Sequence, residues 1–64
     1  MHSRLALLAR LPGRYGYALF LREAGLDDAE IALRLDEDLA GARMVLRIAE
    51  AKCANLLAAE QRPT

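Results

Sequence analysis

Sixty-four residues allow one small hydrophobic core and leave no room for a second, because compact domains begin at about 50 residues. Cys53 is the sole cysteine, which excludes an internal disulfide and points to a reducing, cytoplasmic compartment. The formal net charge is zero, yet residues 1–26 carry +3, residues 27–40 carry −5 and residues 41–64 carry +2, so the chain lacks the basic balance of a dedicated nucleic-acid binder.

Apolar residues make up 55% of the chain and aromatics only 5%. The apolar residues are mostly Ala and Leu, which lose least on entering a helix. Val45, Ile31, Ile48 and Thr64 are the only β-branched residues, so a sheet is not expected. No uninterrupted apolar run is long enough for a membrane helix or a signal segment, since charge returns at Arg4, Arg10 and Arg14.

In chain order, Leu5, Leu8 and Leu11 predict a first helix over about residues 3 to 11. Pro12 then opens a second over about 13 to 23, where Tyr17, Phe20 and Leu21 share a face. Tyr15 and Tyr17 are expected at the core edge. Gly25 stops this helix, because glycine enters the left-handed conformation that helix ends require. Asp27 followed by Glu30 reads as a capping pair for a third helix over about 28 to 35, whose buried stripe is Ile31, Ala32 and Leu35. After a turn at Asp36-Glu37, Asp38 caps a fourth helix that runs to about residue 60, before Pro63. At roughly 20 residues it is about 30 Å long.

The expected fold is therefore all-α: a small bundle of about four helices in one domain spanning 1–64, with a helix-turn-helix over about 27–58 and a long final helix. On that last helix Ala42, Leu46, Ala49, Cys53, Leu56 and Leu57 form the stripe that packs on the others. A second stripe, Met44, Val45, Ile48 and Ala51, reaching Ala58, is surplus to the core and is the expected protein interface. A homodimer is one way to cover it.

Leu11-Pro12, Leu19, Leu21-Arg22-Glu23, Gly25-Leu26, Glu30-Ile31-Ala32, Leu35, Arg43, Leu46 and Ala49 follow one another in an order that resembles region 4 of extracytoplasmic-function sigma factors. The resemblance covers residues 8 to 57 and rests mostly on core and cap positions. It implies a domain that reads a promoter element through the second helix of the motif and docks on the flap of the RNA polymerase β subunit. By position, Arg43 and Arg47 match the basic side of the reading helix, and Arg14 and Arg22 add phosphate contacts.

The chain also departs from that pattern. Asp36 and Glu37 stand where the family has glycine and an apolar residue, Gly41, Met44 and Val45 where it has small polar and basic residues, and Glu50 where a basic residue is common. Two functions follow. The first is a transcription-associated helix-turn-helix protein that binds promoter DNA, RNA polymerase or both, with DNA binding weak and salt-dependent because few arginines neutralise phosphate. The alternative is a protein-only module, a region 4 mimic or anti-sigma-like adaptor, that has lost DNA reading. No Ser, His and Asp constellation or phosphate loop is present, so no enzyme, cofactor or small-molecule substrate is expected. Asp36-x-Asp38 resembles the opening of a calcium loop, but Ala40 and Arg47 occupy ligand positions, so no metal is expected either.

Overall fold

The computed structural model describes residues 8–61, which form three helices and no strand: α1 (Gly13–Glu23), α2 (Asp28–Leu35) and α3 (Leu39–Glu60). Each packs on the other two. The bounds agree with the second, third and fourth helices expected from the sequence. The helix expected at 3 to 11 lies mostly outside the described residues, so three helices stand among them rather than about four. At its described end, the Leu11 N–H donates to the Leu8 carbonyl at 3.1 Å.

Side chains at the helix boundaries explain why the chain divides here. The Asp27 carboxylate accepts from the Glu30 N–H at 2.9 Å, and the Asp38 carboxylate accepts from the Gly41 N–H at 2.7 Å. Each satisfies an amide that the helix itself leaves without a partner, worth about 1 kcal/mol. At the end of α1, Gly25 takes a φ of 98° while the Leu26 N–H reaches the Leu21 carbonyl and the Gly25 N–H reaches that of Arg22. This is the Schellman closing. The end of α2 repeats it with Asp36, at a φ of 57°, in the glycine position: the Glu37 N–H donates to Ala32 and the Asp36 N–H to Leu33.

The core is aliphatic. Leu19 of α1, Ile31 of α2 and Leu46 of α3 are its largest fully buried side chains, with Leu8, Leu11, Ala18, Leu21, Ala49 and Cys53 around them. Their repeat along α3, Ala42, Leu46, Ala49 and Cys53, is one face of a 3.6-residue period. Leu56 is partly buried against the core, whereas Leu57, expected in the same stripe, is exposed. The turn before α1 lies close to it at Gly16: a Cβ there would stand 2.7 Å from the Leu8 carbonyl oxygen and 3.2 Å from that of Leu11.

Two faces differ from expectation. Val45, assigned to an interface, is buried in the core beside Leu46, because it lies only one residue from the middle of the buried stripe and α1 and α2 cover a wide arc of α3. Tyr17 and Phe20 do not go inward with Leu21. They are 44% and 51% exposed, while Ala18 and Leu19 are buried in their place. No described helix is long and apolar enough to cross a membrane.

Candidate macromolecular interface

The outward face of α3 is set by what the core takes. With Ala42, Val45, Leu46, Ala49 and Cys53 inside, the opposite side of the helix presents Ala40, Arg43, Met44, Arg47 and Ala51 to solvent, with Ile48 half-buried at its margin. Met44 is 54% exposed. Of the four interface residues read from the sequence, Met44 and Ala51 are therefore open, Ile48 is in part, and Val45 is not.

The four arginines assigned to DNA are not equivalent. Arg43 Nε lies 3.3 Å from one carboxylate oxygen of Asp28, and Arg22 Nη2 lies 3.6 Å from the other. Asp28, in the first turn of α2, thus stands between an arginine of α1 and one of α3. Arg22 also lies 3.9 Å from Glu50. Arg14, in the first turn of α1, pairs with Glu37 in the turn before α3. Arg47 forms no ion pair with another described residue and is exposed. These are exposed pairs of small individual energy. Their consequence is positional, because a phosphate approaching Arg22, Arg43 or Arg14 meets a carboxylate at the same place.

No family model matches the chain, and no curated protein or solved structure does.

A second surface was not foreseen. Tyr17 and Phe20, one turn apart on α1, form with Leu8, Ala9, Leu11, Gly13 and Gly16 an open groove of about 310 Å³. Its floor exists because Gly16 lets the preceding turn come close. On α2, Leu33 is 77% exposed, the highest value among the exposed large apolar residues. The sequence offered one signal for it: Leu33 lies outside the Ile31, Ala32 and Leu35 stripe. A smaller depression of about 210 Å³ lies between Arg10, Leu11, Pro12, Lys52, Asn55 and Leu56. There the Lys52 ammonium sits 5.4 Å from the centre of the Tyr15 ring, a cation–π distance, and Arg10 is held by Glu60. Among the described residues no group of three His, Cys, Asp or Glu side chains is arranged to hold a metal ion.

Proposed function

We propose that the chain is a helix-turn-helix module of transcription that engages a protein partner, RNA polymerase foremost, through the outward face of α3, and that it does not depend on reading promoter DNA. The carrying observation is the contrast on that face and its surroundings. Arg14, Arg22 and Arg43 each stand beside a carboxylate of the same chain, while Met44 is uncovered between Arg43 and Arg47. An unbranched apolar side chain flanked by two arginines and continuous with Ala40, Ile48 and Ala51 on the same face suits an interface centre. The link to transcription comes from the sequence pattern that resembles sigma factor region 4, together with the α2, turn and α3 arrangement that the pattern implies.

DNA binding remains the second reading on one specific observation: Arg47 is exposed without an ion pair among the described residues, and Arg43 lies one turn before it on the same side. The two readings separate on opposite substitutions in one helix. Binding to purified RNA polymerase core enzyme and to labelled duplex DNA is measured for Met44→Glu, Arg43→Ala and Arg47→Ala. In the protein reading Met44→Glu weakens polymerase binding by roughly 2 kcal/mol or more, because it buries an unpaired charge, and the arginine variants change little. In the DNA reading each arginine variant costs about 1 to 3 kcal/mol of duplex affinity. Wild-type protein that binds neither would reject both.

A further inference from the structure

We infer that the depression between the turn before α1 and the C-terminal half of α3 is a docking site for an acidic side chain of a partner protein, presented next to an aliphatic one. It is separate from the outward face of α3 around Met44 and does not rest on the reading given above. Its recognising group is Lys52. The ammonium has no carboxylate of a described residue within ion-pair distance, and the residues one turn from it on α3, Ile48, Ala49, Asn55 and Leu56, include no acid. Instead it sits 5.4 Å from the centre of the Tyr15 ring, which holds a cation in place without neutralising it. A positive charge that is both positioned and uncompensated binds a carboxylate with little further loss of side-chain freedom.

The walls and the size narrow the occupant. Asn55 follows Lys52 on the same side of α3 and lines the same depression, and its side-chain amide makes no hydrogen bond with another described residue. It therefore has donors to offer a carboxylate beside Lys52. Arg10 stands at the rim with its charge matched by Glu60, and Glu50 lies beside Arg22 about 160° round the helix from Lys52. The net positive charge of the site is that of Lys52. One cation is too few for a nucleic-acid backbone, whose binders neutralise several phosphates. Leu11, Pro12 and Leu56 make the rest of the lining aliphatic, which suits an aliphatic side chain next to the acid. At about 210 Å³ the depression falls below the usual range of small-molecule pockets and has room for a side chain or two.

Amide NMR shifts of the full chain, titrated with the acetylated and amidated peptide Gly-Ser-Glu-Leu-Ser-Gly, test this. The shifts expected to move are those of Lys52, Asn55 and Leu56. Replacing the glutamate of the peptide by glutamine is expected to weaken binding by about fivefold, the scale of one exposed charge pair. Lys52→Met, which keeps the aliphatic stem, should do the same, and Lys52→Arg should retain binding. Lys52 is exposed, so neither change threatens the fold, and unchanged shifts away from the site confirm it. Arg34→Gln, which removes an exposed cation from α2, and Met44→Gln, on the outward face of α3, leave binding as it is. A peptide that moves none of these three shifts, a glutamine peptide that binds as tightly as the glutamate one, or a loss in Arg34→Gln or Met44→Gln equal to that in Lys52→Met would each overturn the proposal. So would a DNA duplex that moves the same shifts at a lower concentration than the peptide.

Discussion

Asp36 makes at the end of α2 the same left-handed closing that Gly25 makes at the end of α1, hydrogen bond for hydrogen bond. A residue with a Cβ costs about 1 to 2 kcal/mol in that conformation, and Asp is among the few that tolerate it. Asp36→Gly is therefore expected to stabilise the domain by about 1 kcal/mol, raising Tm by about 4 to 8 °C for a domain of this size. Gly25→Ala should lower it by a similar amount. Thermal melts followed by circular dichroism check both signs, and a fall in Tm for Asp36→Gly would mean that the carboxylate contributes more than the backbone strain costs.

Asp28 stands between Arg22 and Arg43, so neutralising it should free Arg43 and leave Arg22 only its longer pair with Glu50. The Asp28→Asn variant is expected to bind duplex DNA more tightly than wild type and with a steeper salt dependence, by up to about 0.9 in log–log slope for each phosphate newly contacted. Its folding stability should fall by no more than about 1 kcal/mol, the scale of exposed pairs and of an acid in the first turn of a helix. Fluorescence anisotropy at several salt concentrations measures the first effect, and urea denaturation the second. Equal affinity and equal slope in the two proteins would show that Asp28 does not screen these arginines.

Two helical glycines should respond in opposite ways to the same substitution. At Gly16 an added methyl would meet backbone oxygens of Leu8 and Leu11, which move only with the turn itself. Overpacking of that kind costs about 1 to 3 kcal/mol, more than the gain of about 1 kcal/mol from alanine in a helix. At Gly41 the methyl would meet the far end of the Glu37 side chain, whose displacement costs only an exposed pair with Arg14, and would stand 3.1 Å from the capping Asp38 carboxylate. Gly16→Ala should therefore destabilise the domain and Gly41→Ala should not, as chemical denaturation can establish. Gly16→Ala should also perturb the groove that Tyr17 and Phe20 line.

Local features of the sequence carried most of the fold. Asp27, Asp38 and Gly25 mark boundaries through their own backbone and side-chain chemistry, so three helices could be placed from composition and spacing alone. The rotation of each helix about its axis was less legible. In α1 the spacing of Tyr17, Phe20 and Leu21 suits one face, but the small residues Gly16 and Ala18 beside Leu19 allow the close approach that a core of this size requires, and the bulkier rings are left outside. Val45 went the other way because two helices cover α3 over a wider arc than a single stripe suggests. The ion pairs were not legible at all. Asp28 meets Arg22 six residues behind it and Arg43 fifteen ahead only because α1 and α3 flank the start of α2.

The thiol of Cys53, buried to 3% exposure in the middle of α3, makes the chain its own gauge of opening. It is the only sulfhydryl in the sequence, so any modification by a maleimide or an aromatic disulfide reports one position. A reagent in solution reaches it only when α3 separates from its neighbours, and at low reagent concentration the labelling rate follows the population of that open form. Stability within the native ensemble can thus be timed on the unmodified protein, without a denaturant or an introduced probe.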